Sequence, residues 1–121
     1  MLGTQGGDGQ PQILLQVLAR LLHCGQSPAE AIGGPRWVLV GGGAGFDTWS
    51  APSRTVAVEA NAPAAWVDGL TARGHAVTTV GAFGHQFGHA NLITLADPAS
   101  GRVRLAGAAD PRGRISAAVG R

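Results

Sequence analysis

Gly3-Thr4-Gln5-Gly6-Gly7-Asp8-Gly9-Gln10-Pro11-Gln12, running into Ile13-Leu14-Leu15-Gln16-Val17-Leu18-Ala19-Arg20-Leu21-Leu22, is the stretch on which the reading of this chain turns. Its second half has apolar residues at 13, 14, 17, 18, 21 and 22, the spacing that lays one face of a helix against a core. Pro11 suits the first helical position, where a missing N–H costs nothing, and Gly25 suits a helix stop. The first half is then a glycine-rich turn delivered onto the start of that helix, where unpaired amides and the positive end of the dipole lie. Glycines let backbone N–H groups come close to a negative group, because no Cβ stands in the way. Two occupants fit: a bound anion, or the oxyanion of an acyl-transfer intermediate. The same spacing also describes a plain tight turn into a helix. Met1-Leu2 runs straight into the glycines, so the strand expected to feed the turn would lie upstream.

The totals bound what the rest can be. A length of 121 residues suits one domain, 1–121, and 45% apolar residues argue for a packed core. Twenty glycines imply short elements and many turns. All nine basic side chains are arginine, scattered along the chain, and the net charge is only +2. With 5% aromatic residues this is no nucleic-acid-binding face. Cys24 is the only cysteine, which excludes an internal disulfide and a cysteine-rich zinc site. Following a helix, it reads as a buried small hydrophobe. No run is long enough for a membrane span and no basic-then-apolar leader opens the chain, which leaves cytoplasm and periplasm both open.

Beyond the first helix, Ser27-Pro28-Ala29-Glu30 is a capping box that starts a short helix through Ile32, ended by Gly33-Gly34. Arg36 to Val40 reads as a short strand. Gly41-Gly42-Gly43-Ala44-Gly45 lacks the third glycine of a dinucleotide turn, and no amphipathic helix follows it, so a loop is expected. Arg54 to Glu59 alternates as a strand does. Asn61-Ala62-Pro63 opens a helix with Trp66, Val67 and Leu70 on one face and Gly74 at its end. His75 to Val80, Asn91 to Ala96 and Arg102 to Ala108 read as strands, the last two joined through Asp97-Pro98-Ala99-Ser100-Gly101 as a hairpin. The order is helix, helix, strand, strand, helix, then strands: a mixed α+β chain with helices packed on a largely antiparallel sheet.

Other candidates for chemistry have simpler readings. His85 and His89 are four apart, but Gly84 and Gly88 lie among them and no carboxylate completes a ligand set, so loop histidines are expected and no metal or cofactor is implied. No Gly-x-Ser-x-Gly turn is present, and a phosphate loop built on lysine is excluded by the absence of lysine. Thr4 could act as a nucleophile only if cleavage exposed its amine; otherwise its hydroxyl bonds within the glycine turn. Asp110-Pro111-Arg112 reads as a turn with a local salt bridge.

The pieces in order resemble the C-terminal part of the γ-glutamyltransferase (γ-glutamyl transpeptidase) family. They are Gly3-Thr4-Gln5-Gly6-Gly7 before a helix, Ser27-Pro28-Ala29-Glu30-Ala31-Ile32, Pro35-Arg36-Trp37, Glu59, Leu70-x-Ala72-Arg73-Gly74-His75-x-Val77 and Gly107-Ala108-Ala109-Asp110-Pro111-Arg112. Gly6-Gly7-Asp8-Gly9-Gln10-Pro11-Gln12 looks closer to the bacterial branch that includes oxamate-type amidohydrolases than to the glutathione-cleaving members. The resemblance implies an N-terminal-nucleophile hydrolase fold, an αββα sandwich with two sheets between helices. It implies a precursor that cuts itself, and a new N-terminal threonine that attacks a γ-glutamyl or other small amide and passes the acyl group to water or an amino acid. On this match Gly6 and Gly7 supply the oxyanion amides, and Thr4 and Asp8 lie against substrate.

The match also departs from the family. The threonine nucleophile and the residues that grip the γ-glutamyl group lie upstream of the glycine pair and have no counterpart here. Gln5 stands where many members have proline, and the ending Gly113 to Arg121 lacks the usual final aromatic. The implied partner is therefore the remainder of the precursor, and the chain alone is expected to be inactive. Two alternatives stand beside this reading: an anion-binding module without covalent chemistry, and an inactive remnant that associates through open strand edges.

Overall fold

The glycine stretch folds as a strand, a turn and a helix. The computed structural model describes residues 1–40, 55–96 and 104–120. Leu2–Gln5 is strand β1, so the strand expected upstream of the glycines is present within the chain itself. It pairs antiparallel with β5 (His89–Ala96) in the register Leu2↔Leu92, Thr4↔Ala90, Gln5↔His89. Isolated from its neighbours, Leu2–Gln5 is too short to show the alternation that marks a strand; the partner 84 or more residues away makes it one.

A 3₁₀ turn over Gly7–Gly9 leads into helix α1 (Gln10–Leu22), with Gly9 at its N-cap and Pro11 one residue inside. The buried face is narrower than the apolar spacing suggests. Ile13 and Val17 are fully buried, whereas Leu18 and Leu22 are exposed, and Gln16 takes an inner position. The polar choice has a reason. Gln16 Nε2 donates to Trp37 O at 2.8 Å, Trp37 N–H donates to Gln16 Oε1 at 3.0 Å, and Leu39 N–H donates to Gln12 Oε1 at 2.8 Å. The two glutamines, one helical turn apart, cover the free edge of strand β2 (Trp37–Leu39) as another strand would. Gly25 closes the helix with φ 63°, and Gln26 N–H returns to Arg20 O at 3.1 Å. Cys24 beside it is exposed, not the buried hydrophobe its apolar character suggests, because the helix end points outward.

Helix α2 (Pro28–Gly33) has the complete capping box: Ser27 N–H donates to Glu30 Oε2 at 2.8 Å and Glu30 N–H to Ser27 Oγ at 3.3 Å. Helices α1 and α2 then bury Ile13, Val17, Ala31 and Ile32 against Ala90 and Leu92 of β5 and Ala108 of β6 (Arg104–Ala109). This sheet has the order β1-β5-β6 and is wholly antiparallel.

A second sheet, β2-β3-β4, holds β3 (Thr55–Glu59) between β2 and β4 (Ala76–Val80). Here the largely antiparallel expectation meets one exception, since β3 and β4 run parallel. Helix α3 (Ala64–Ala72) is the crossover that a parallel pair requires. Its Trp66, Val67 and Leu70 face is only half-buried, and the Arg20 guanidinium lies 5.9 Å from the Trp66 ring centroid. Phe87, with Val38 and Ala57, fills the core beneath this sheet. The Gly41–Pro52 loop and the Asp97–Gly101 turn lie outside the described residues. No helix among the described residues is long and apolar enough to cross a membrane.

Candidate active site

The turn between β1 and α1 is built by close approach of backbone. Gly7 has φ 51°, in the left-handed region that favours glycine. Gly88, which begins the return into β5, has φ 67°, and a Cβ there would stand 2.5 Å from Gln5 O. A Cβ on Gly6 would meet Ile13 Cδ1 at 2.8 Å, and Ile13 is fully buried. The turn's hydrogen bonds use its carbonyls: Gly9 N–H donates to Gly6 O at 3.0 Å and Gln10 N–H to Gly7 O. The Gly6 and Gly7 N–H groups donate to no backbone carbonyl among the described residues. Gly6 is buried, while Gly7 and Asp8 are exposed at the mouth of the turn.

Thr4 lies in β1, one strand residue before the turn, and its hydroxyl donates to His89 O at 2.9 Å across the sheet. It also reaches Gln5 O at 3.4 Å, so the hydroxyl bonds both within the glycine stretch, as expected, and across the sheet. The two histidines do not share a helix face. His85 opens a 3₁₀ turn and His89 begins β5, with left-handed Gly88 between them. Among the described residues no group of three or more His, Cys, Asp or Glu is placed to hold a metal ion.

Behind the turn lies a cluster that the spacing of residues alone does not reveal. Arg36, Glu59, Asp110 and Arg112 are all buried. Arg36 Nη2 pairs with Asp110 Oδ2 at 2.6 Å, Arg112 Nη1 with Asp110 Oδ1 at 3.0 Å, and Arg112 Nε and Nη2 engage both oxygens of Glu59. The set is charge-balanced, which is the condition for burying ions without an unpaired charge. Burial, followed by the nearby Arg112 charge, pulls the Arg36 guanidinium below its ordinary pKa; Asp110 and Glu59 oppose that pull.

The cluster reaches the turn through backbone. Arg36 Nη1 donates to Phe87 O and Gly88 O, each at 3.2 Å, and Asp110 Oδ2 accepts from Ala90 N–H at 2.7 Å. Gly88 is the residue whose Cα stands against Gly6. The local Asp110–Arg112 salt bridge is thus present, as one side of a larger arrangement. The sequence signal for it is a charge at the boundary of an apolar run: Arg36 before Trp37-Val38-Leu39-Val40, and Glu59 after Val56-Ala57-Val58.

The profile of the Gamma-glutamyltranspeptidase family matches residues 1–120. This chain belongs to the γ-glutamyltranspeptidase family. It is 36% identical over 120 residues to the glutathione hydrolase-like YwrD proenzyme of Bacillus subtilis, a match covering 99% of this chain and 21% of that protein. It is 33% identical over 116 residues to the oxamate amidohydrolase proenzyme of Klebsiella pneumoniae, covering 96% of this chain and 20% of that one. The crystal structure of a cephalosporin acylase from Bacillus halodurans superposes with a TM-score of 0.72 at 32% identity, over 92% of this chain and 18% of that one. The chain thus spans about a fifth of the length of the curated relatives it matches. Its mixed α+β architecture is that of the N-terminal-nucleophile hydrolases of this family, as the motif order implies.

Proposed function

We propose that residues 1–121 are the C-terminal portion of a γ-glutamyltranspeptidase-type amidohydrolase domain, and that this portion supplies the oxyanion-stabilising turn of the reaction. The single observation that carries the reading is the pair of amides at Gly6 and Gly7 that bond to no backbone carbonyl among the described residues, on a backbone that packing and left-handed glycines hold in place. A threonine hydroxyl from the remainder of the precursor adds to the amide carbonyl, whose oxygen becomes anionic. The C–N bond then breaks, the amine leaves with a proton, and water or an amine takes the acyl group. Donors fixed in advance toward that oxygen lower the barrier because they need not reorganise as charge develops. In this reading Thr4 and Asp8 lie against the substrate on either side of the pair. The acyl group is that of a γ-glutamyl peptide such as glutathione, or of a small amide. The names of the two curated relatives, one glutathione hydrolase-like and one an oxamate amidohydrolase, support keeping both classes.

The test is a chimera in which these 121 residues replace the matching stretch of the Bacillus subtilis relative. A γ-glutamyl anilide and oxamate serve as alternative substrates. The chimera is expected to turn over one of them, and replacing the Gly6–Gly7 peptide bond by an ester, which removes the Gly7 N–H, is expected to lower kcat by about 10²–10³ with little change in KM. Unchanged kcat in a folded chimera carrying that ester overturns the oxyanion role. Turnover by the 121-residue chain alone overturns the assignment of the nucleophile to another segment.

A further inference from the structure

The connector from β4 to β5, residues 81–88, holds the one non-glycine residue with positive φ among the described residues: Phe83, at 56°. That region of backbone space is strained for a bulky side chain. Glycines stand at 81 and 84, and Gly84 has an ordinary φ of −68°, so the strained conformation falls on the ring-bearing residue between them. A phenylalanine held against its backbone preference points to a contact that outweighs the strain.

The contact is with Arg112, whose Cζ lies over the Phe83 ring, 5.5 Å from the centroid. All five guanidinium N–H groups are engaged elsewhere. Nε and Nη2 donate to Glu59, Nη1 to Asp110 and Ile32 O, and Nη2 also to Gly34 O. Those bonds fill the rim of the planar group, so its flat face is what remains for the ring to cover. The Arg112 side chain is fully buried whereas Phe83 is 43% exposed, which puts the ring between the ion cluster and solvent. Charged hydrogen bonds keep their strength only while water stays away from them.

The far end of the same connector is gripped by the other arginine of the cluster, since Arg36 Nη1 donates to Phe87 O and Gly88 O. Asp110 joins the two arginines and also accepts from Ala90 N–H, just beyond the connector. Phe83 thus rests on one arginine and Gly88, which packs on Gly6, hangs from the other. We propose that Phe83 is a positioning residue of this site: its ring closes the ion cluster over Arg112 and so fixes Gly88 and the glycine turn beside it. Its effect on turnover rests on the oxyanion reading; its effect on the turn does not.

The experiment compares Phe83→Tyr, Phe83→Leu and Phe83→Gly in the chimera, by steady-state kinetics and by hydrogen exchange read with mass spectrometry. Tyrosine keeps the ring face, leucine keeps apolar bulk without one, and glycine removes ring and backbone strain together. The leucine and glycine variants are expected to exchange about tenfold faster over residues 5–9 and 87–90, as loss of a desolvated cation–π contact implies. Their kcat is expected to fall about fivefold with KM unchanged, and the tyrosine variant to match the parent in both. A glycine variant that exchanges like the parent overturns the proposal, since relieved strain without lost order means that the ring holds nothing. A tyrosine variant as disturbed as the leucine one overturns it too, as does faster exchange spread along the whole chain. Faster local exchange with full kcat overturns the positioning role if the Gly6–Gly7 ester lowers kcat. If the ester also leaves kcat unchanged, the same result supports the hold of Phe83 on the turn and removes the oxyanion reading instead.

Discussion

Arg112 and Glu59, 53 residues apart in sequence, meet side by side in the interior: Arg112 Nε donates to Glu59 Oε1 at 2.8 Å, and Nη2 to Oε2. Arg112 Nη2 also donates to Gly34 O at 2.9 Å and Nη1 to Ile32 O at 3.2 Å. One guanidinium therefore ties the end of α2, the end of β3 and the turn after β6 together. Glu59→Gln removes the charge and keeps the shape, so it leaves Arg112 and Arg36 with a single carboxylate between them. The expected cost is about 3–5 kcal/mol, because a buried partner is left uncompensated. That is a large share of the stability of a domain this size. Urea unfolding followed by far-UV circular dichroism measures it, and a shift in midpoint worth under about 1 kcal/mol contradicts the arrangement.

How much of this was legible beforehand depends on the range of the contacts involved. The capping box at Ser27–Glu30, the stop at Gly25 and the pairing of the last two strands are set by neighbours in sequence, and they stand where the residues place them. Strand β1 is different. Leu2–Gln5 becomes a strand only because β5 supplies its hydrogen-bond partners from far along the chain. Gln12 and Gln16 look like breaks in an apolar face until β2 is laid beside them. The Arg36–Asp110–Arg112–Glu59 cluster joins four segments, so no single window contains it. The glycine pair was legible as a feature, and the absence of backbone acceptors for its amides among the described residues is a product of the turn geometry.

Gly88→Ala tests the packing of that turn. The native φ of 67° disfavours any side chain, by about 1–2 kcal/mol, and the new methyl would also collide with Gln5 O, 2.5 Å away. Since backbone cannot yield there as a flexible side chain does, the total is expected to exceed the strain alone. Thermal unfolding should fall by several degrees, with amide shifts concentrated between Gln5 and Ile13. An unchanged melting temperature would show that β1 and Gly88 are not in close contact.

Ser27→Ala removes the hydroxyl that accepts from Glu30 N–H, at an expected cost of about 1 kcal/mol. The effect should depend on pH. Hydrogen bonds from the Ser27 side chain and then the Ser27 backbone hold the Glu30 carboxyl below its ordinary pKa. A depressed carboxyl stabilises the fold above its unfolded pKa and loses that contribution as pH falls through the folded value. The stability gap between the chain and Ser27→Ala is therefore expected to be full near neutrality and to narrow as the pH drops below about 4. Denaturation midpoints of both proteins across that range measure it, and a gap that widens on acidification contradicts the box.

Gln16→Leu is the sharpest test of the helix-to-strand seam. Leucine is the better residue for a buried position on α1 by hydrophobicity alone, and its helix propensity is about the same. In this fold it would leave Trp37 N–H and Trp37 O without their partner at a nearly closed surface, since Gln16 is only 8% exposed. Stranded buried backbone groups cost about 1–3 kcal/mol each, which outweighs the gain in apolar contact. The substitution is expected to destabilise, with the loss appearing as faster hydrogen exchange at the amides of Trp37 and Leu39 rather than along α1. A stabilised Gln16→Leu protein, with β2 amides still protected, would mean that water or another strand already satisfies that edge and that the two glutamines do not hold it.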